Sequence, residues 1–189
     1  MHPIRSLRSF EWDLYRDHML ALDHTDRRLR FGHLMSDDAV SGFVDRINPS
    51  NTRILVRFDA DLRVVGAAQL SSLAQGGAEV SFSVDPSWRC KGLGLALARR
   101  ALLAARNKGL KQVCLFCLAE NHSMRRLALK AGLSVARLGS ECEATVSLPA
   151  PTPFSGIQEL TGEQAGWYDF ISKRNQRALL RSSHWRRAA

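Results

Sequence analysis

The chain has 189 residues, 45% of them apolar and 24% charged, with 27 bases against 18 acids for a formal net charge of +9. That length suits one generous domain, or a domain with an appendage, able to bury roughly 70% of its unfolded surface without a disulfide or metal staple. The composition excludes a disordered chain, a collagen and a bundle of membrane spans, because no stretch approaches roughly eighteen uninterrupted apolar residues. The bases comprise 22 Arg and 5 Lys. Such a surface attracts phosphates, nucleic acids or acidic partners, unless the arginine bias is only a habit of genomic base composition. Charges at Glu11 and Asp13 arrive before any apolar run, so no signal peptide is expected and a cytoplasmic location is the default.

In chain order, Ile4–Leu7 reads as a short strand and residues 9–24 as a helix with Trp12, Tyr15, Met19 and Leu22 on one face. Residues 26–32 read as a basic connector. A helix from Asp37 to Ile47 follows, capped by Ser36 and ended by Asn48-Pro49. Arg53–Phe58, Arg63–Leu73 and Ala78–Val84 alternate as strands with short turns between them, an antiparallel meander. The pattern then switches to a Leu/Ala-rich helix over Gly92–Lys108, a strand over Val113–Leu118, a short helix over Ser123–Ala131, and strands over Leu133–Leu138 and Glu141–Leu148. A strand-helix-strand unit attached to a meander predicts an α+β, mixed-sheet domain over residues 1–148.

Cys114 and Cys117 lie three apart on a predicted strand, which puts their thiols on opposite faces. With no second Cys-x-x-Cys or His-x-x-x-His, they read as buried reduced thiols, and no metal site is expected. Residues 149–161, with Pro149, Pro151 and Pro153, read as a stiff linker. Residues 162–189 read as an appended basic tail, its amphipathic helix running from 162 to 187. Its bases are Lys173, Arg174, Arg177, Arg181, Arg186 and Arg187, its apolar side Trp167, Phe170, Ile171, Leu179, Leu180 and Trp185. Such a helix packs on its own domain or on a homodimer mate, or else docks on nucleic acid, an acidic protein or an anionic membrane.

The stretch from Glu79 to Ala96 carries the chemistry: a strand, a short loop with Arg89 and Lys91, two glycines at Gly92 and Gly94, then a helix start. Glycines admit close backbone approach, and the first amides of a helix point outward without partners. With the helix dipole and two cations, this makes an anion site of pyrophosphate size. It is not a Walker loop, because Lys91 precedes Gly92-Leu93 instead of preceding Ser or Thr. It is not a dinucleotide fingerprint either, because Leu97 stands at the third glycine and residues 111–119 hold no acid.

Arg89-Cys90-Lys91-Gly92-Leu93-Gly94 resembles the Arg/Gln-x-x-Gly-x-Gly/Ala signature of the GCN5-related N-acetyltransferase (GNAT) superfamily. Asn121-x-x-Met124-x-x-Leu127-x-x-Lys130-x-Gly132-Leu133 resembles that superfamily's later motif, and residues 26–31 resemble a segment of bacterial protein-lysine acetyltransferases. The resemblance spans about residues 3–148 and implies a mixed, mostly antiparallel sheet of six to seven strands with helices on both faces. It implies transfer of an acetyl group from acetyl-CoA to a primary amine by direct attack, with no metal. The pyrophosphate would lie on the backbone amides of Arg89, Cys90, Lys91, Gly92, Leu93, Gly94 and Leu95. The pantetheine arm would add like a strand at Phe82 and Val84.

Asn121 matches a residue that contacts the arm, although its place also suits a helix cap, in competition with Ser123. Glu79 matches the position of the general base, and its other reading is a solvated strand end. One departure stands out. Where the family pattern has a tyrosine that protonates the leaving thiolate, this chain has Ala128. The competing function is a CoA-sensing, weakly catalytic binding module whose basic tail docks on nucleic acid or an acidic partner.

Overall fold

The structure is a computed structural model that describes residues 2–185, with side chains through residue 180 apart from Ala74. The expected roles of Arg181, Trp185, Arg186 and Arg187 in the tail therefore lie outside the described residues or side chains. The strands are β1 (Arg5–Ser6), β2 (Thr52–Phe58), β3 (Val64–Ser72), β4 (Gly77–Val84), β5 (Gln112–Leu118), β6 (Ser134–Leu138) and β7 (Glu141–Ser147). The helices are α1 (Trp12–Leu20), α2 (His24–Phe31), α3 (Asp37–Asp45), α4 (Leu93–Asn107), α5 (His122–Lys130) and α6 (Pro153–Trp185). The strands form one sheet in the order β1-β2-β3-β4-β5-β7-β6, antiparallel everywhere except at β4–β5. The α+β mixed sheet with helices on both faces is thus the observed architecture.

Alternation along the strands divides the core in two. Leu55, Ala68, Leu70, Val80 and Phe82 turn toward α4 and α5, where Leu93, Leu97 and Ala101 come down as one helical stripe. Ile54, Val56 and Ala67 turn the other way, onto Tyr15 and Met19 of α1 and Val40 and Val44 of α3. Cys117 and Cys142 are buried opposite each other on β5 and β7, while Cys114 points to the other face, as the strand spacing predicts.

The predicted elements are corrected at three places. The expected helix over 9–24 is a 3-10 turn at Ser9–Glu11, then α1, which stops at Leu20. The expected connector over 26–32 is instead helical. The Asp23 carboxylate caps α2 by accepting from the Asp26 amide at 2.7 Å, and Gly32 ends it at φ 81°. The helix carries little apolar surface, with Leu29 and Phe31 its only large apolar residues, because a buried arginine does the anchoring. Arg27 donates to the carbonyls of Leu20, Leu22 and Met35 and pairs with Asp37.

The third correction concerns the C-terminal helix, which begins at Pro153 rather than at 162, so only residues 149–152 are extended. Thr152 and Ser155 exchange side-chain-to-amide hydrogen bonds at 2.9 and 3.1 Å, a reciprocal cap with Pro153 in the first helical position. The acids of α6 face its own domain. Glu159 and Glu163 pair with Arg53, Glu163 also with Arg100, and Asp169 with Arg57 and Lys173. Arg5, wholly buried, forks onto Glu11 at 2.7 and 2.8 Å beneath the rings of Phe58, Trp167 and Phe170. Among the described residues no helix is long and apolar enough to cross a membrane.

Candidate active site

The loop after β4 is built by local hydrogen bonds. The Asp85 carboxylate accepts from the Ser87 amide at 2.8 Å, Pro86–Trp88 makes a 3-10 turn, and the Arg89 amide closes it on the Pro86 carbonyl. Cys90 and Gly92 then take left-handed conformations, φ 58° and 80°, and α4 begins with the Ala96 amide on the Gly92 carbonyl. Left-handed backbone is what Gly92 is there for. The amides from Cys90 to Leu95 have no hydrogen-bond partner among the described residues. Six successive free N–H groups at the positive end of a fifteen-residue helix form an anion cradle. His2 braces it from outside, with Nε2 2.8 Å from the Lys91 carbonyl oxygen. Arg89 differs from the other loop residues: its amide donates to the Pro86 carbonyl, and its side chain donates to the Val84 carbonyl and pairs with Asp26.

Beside the cradle the sheet opens. The parallel pairing of β4 with β5 covers only Gly77–Glu79 against Gln112–Cys114. Beyond those residues β4 stays with β3 and β5 stays with β7, so the edge of β4 from Val80 to Val84 has no strand on that side. Phe82 is buried toward α4, and the Val84 carbonyl accepts from Arg89 Nε at 3.1 Å. Across the gap Asn121, buried at 7% exposure, caps α5: its Oδ1 accepts from the Met124 amide at 3.0 Å. The cap belongs to Asn121 and not to Ser123, and its Nδ2 has no partner among the described residues. Ala128 is buried in the core and offers no proton.

The opposite face of β4 carries Glu79, Ser81 and Ser83, directly across from Ser71, Gln69 and Ala67 of β3. Glu79 is exposed at the last paired position before the strands part. Cys114 lies beside it, its thiol raised above the ordinary range by burial and by the negative charges of Glu79 and Glu143. At the other end, His18 is buried with Nε2 2.9 Å from Ser83 Oγ. Burial pushes its imidazole down to about 4.

α2 is the part of the site that sequence reasoning missed. It lies against β4 and β5 and reaches both sides of the opening, through Asp26 to Arg89 of the loop and through Arg28 to Glu120 before α5. Its Arg30 donates to Gln69 Oε1 at 3.1 Å and to Tyr15 Oη at 3.3 Å. Asp23 and Gly32 were signals of a helix in the sequence, but the scarcity of large apolar residues concealed it. A pocket of about 410 Å³ lined by Ser72, Asn107, Lys108 and Glu159 lies at the far end of α4 and takes no part in this arrangement. Among the described residues no group of three or more His, Cys, Asp or Glu side chains is placed to hold a metal.

A mixed sheet that parts at its one parallel pair, with a glycine-turned helix start at the mouth, is the acetyltransferase fold. The family model described as the acetyltransferase (GNAT) family matches residues 6–133, and the chain belongs to that family. Its fold is similar to the GNAT domain of Streptomyces lividans PAT, at 16% identity and TM-score 0.65, covering 77% of this chain and 89% of that one. It is also similar to Vibrio cholerae spermidine N-acetyltransferase in complex with CoA and spermine, at 18% identity and TM-score 0.60, over 76% and 94% of the two chains. A third likeness is to a phosphinothricin acetyltransferase from Sinorhizobium meliloti in complex with acetyl-CoA, at 18% identity and TM-score 0.60, over 80% and 94%. No curated protein sequence matches the chain.

Proposed function

We propose that this protein is an acetyl-CoA-dependent N-acetyltransferase that acts on a primary amine. The observation that carries the reading is the conjunction of six unpartnered amides, Cys90 to Leu95, with the unpaired edge of β4 from Val80 to Val84. The amides and the helix dipole hold the pyrophosphate of the donor. The free edge at Phe82 and Val84 takes the pantetheine arm as an added strand, with Arg89 Nε giving up the Val84 carbonyl as the arm arrives. Gly94 fits the same purpose. A methyl group there would meet only Leu127 at an ordinary 3.5 Å, so packing does not require glycine, whereas close approach of a ligand does. Asn121 Nδ2 is the remaining donor toward the arm.

The reaction joins the acceptor nitrogen to the thioester carbon and breaks the carbon–sulfur bond. The acceptor must first lose a proton, since an amine with pKa near 10 is almost wholly protonated at neutral pH. Glu79 takes that proton, directly or through one water. As the tetrahedral intermediate collapses, the nitrogen releases its second proton to solvent and the leaving thiolate draws one from solvent, because Ala128 replaces the usual donor.

The test is a thermal-shift titration with acetyl-CoA, using dephospho-CoA and ATP as controls, alongside CoA-thiol release with a mixed panel of amines. Acetyl-CoA at a hundred times its Kd should stabilise the fold by about 2.7 kcal/mol, and Gly92→Glu should abolish that shift. Absence of any shift at millimolar acetyl-CoA would sink the reading. The buried Ala128 favours a second one, a CoA-sensing module with slow turnover; saturable binding without thiol release is its signature.

A further inference from the structure

Arg30 is a cation with unused capacity. It is half-buried on α2, yet no carboxylate lies within ion-pair distance of it among the described residues, unlike its helix neighbours Arg27 and Arg28. Its two hydrogen bonds both leave from one terminal nitrogen, Nη2, and both go to neutral oxygens, Tyr15 Oη and Gln69 Oε1. The rings of Phe31 and Phe43 lie 5.0 and 5.8 Å from its central carbon. The guanidinium is therefore held in place by a phenol, an amide and two aromatic rings. Its Nη1 and Nε donate to nothing among the described residues, and neither is a buried unpaired atom. Pinned through one nitrogen and open at the other two, it is a preformed fork for a planar anion.

The fork stands over the acceptor side of the sheet. Gln69, which it grips, is directly opposite Ser81 on β4, and Gln69 Nε2 in turn donates to Ser71 Oγ, directly opposite Glu79. Two residues of strand separate the Arg30 end of this floor from the Glu79 end, on the order of 7 Å. The Glu79 end is negative, since Glu79 and Glu143 both act on Cys114 there. The Arg30 end is positive. A cationic amine belongs at the first and an anion at the second. A single guanidinium between neutral partners suits one negative charge better than a phosphate dianion.

We infer that the acceptor is a small molecule of amino-acid type, its carboxylate held by Arg30 and its amine, a few carbons away, turned toward Glu79. This rests on the acetyltransferase reading above. Arg30 is a specificity-determining residue on this assignment, and its hydrogen bonds go to Tyr15 and Gln69 rather than to the loop residues Cys90 to Leu95.

The experiment measures kcat/KM for each free L-amino acid as acceptor, for the α-amide of every one accepted, and for a peptide with an internal lysine. It uses the full-length protein and its Arg30→Gln and Arg30→Lys variants. Binding of the same amino acids to the protein saturated with CoA is read by calorimetry, which needs no turnover. At least one amino acid should be accepted, with its amide at least tenfold poorer. Arg30→Gln should erase that preference by slowing the acid and sparing the amide, Arg30→Lys should keep part of it, and both should bind acetyl-CoA as tightly as the parent. Acceptors used equally well with and without the carboxylate, or only the internal-lysine peptide, would overturn the inference while leaving the acetyltransferase reading intact. An unchanged acid-to-amide ratio in Arg30→Gln would overturn it too. Failure to bind acetyl-CoA at all would instead remove the reading beneath it.

Discussion

At the scale of single residues, the buried His18 and the exposed Glu79 each carry a pH-dependent prediction. His18 titrates near 6.5 when unfolded and at about 4 in the fold, because burial disfavours its charged form more than its backbone hydrogen bonds and Asp85 favour it. Between those values the unfolded chain holds the extra proton, so this contribution to stability is complete above about pH 6.5 and declines as the pH falls toward 4, by about 3 kcal/mol in all. His18→Gln, which keeps a donor for Ser83 but cannot titrate, should flatten the fall of Tm between pH 6.5 and 4.5. An unchanged slope would mean that other groups govern acid unfolding. Glu79 makes the second case. If it takes the acceptor's proton, Glu79→Gln lowers kcat by roughly 10²- to 10⁴-fold at neutral pH. The deficit should shrink as the pH approaches that of the free amine, near 10, where the acceptor deprotonates unaided. A pH-independent deficit would assign Glu79 to positioning.

At the scale of elements, α5 and α2 show how a helix end does two jobs. Asn121 spends Oδ1 on the Met124 amide, and its Nδ2 has no partner among the described residues; on the proposed reading that donor serves the pantetheine arm. Asn121→Asp retains an acceptor for the cap and loses the amide donor, whereas Asn121→Ala loses both. The Ala variant should therefore lose about 1 kcal/mol of stability. The Asp variant should keep its Tm yet bind acetyl-CoA several-fold more weakly, as calorimetry would read. Equal CoA affinity in parent and Asn121→Asp would reduce Asn121 to a cap. α2 is held by a different device: Arg27 ties three carbonyls from inside, and Asp26 and Arg28 span the parted strands. A helix can thus be built on charge where its sequence offers little apolar surface.

At the scale of the whole molecule, α6 closes the fold by ion pairs and one very close approach. Its acids match arginines of β2 and α4, which is why the helix sits against the domain with its charged side inward. Phe154, Ile157, Leu160, Tyr168 and Ile171 remain exposed on the other side. The approach is tightest at Gly166, where a Cβ would lie 2.6 Å from the Ile4 carbonyl oxygen, an atom of backbone that cannot step aside. Gly156, on the same helix, has open space around it. Gly166→Ala should cost about 1–3 kcal/mol through overpacking. Gly156→Ala should gain up to about 1 kcal/mol from helix propensity. Urea unfolding of the two variants checks both signs, and a Gly166→Ala protein as stable as its parent would mean that α6 is not seated on β1.

The order of strands and helices after Arg53 was legible in the residues, because period-two alternation, the Gly92 helix start and the Gly109 and Gly132 stops are local signals. The glycine-turned loop before α4 was legible for the same reason: free amides and left-handed turns are properties of a few consecutive residues. Arg89-Cys90-Lys91-Gly92-Leu93-Gly94 also pointed to the family that the match over residues 6–133 establishes. What the chain alone could not reveal is pairing between distant segments. That β4 leaves β5 after Glu79, that α2 bridges the opening, and that the acids of α6 turn inward to Arg53, Arg57 and Arg100 all depend on residues tens of positions apart. Local propensity and spacing act within a turn or a strand, whereas salt bridges and strand partings are settled only when the packed core brings their two sides together.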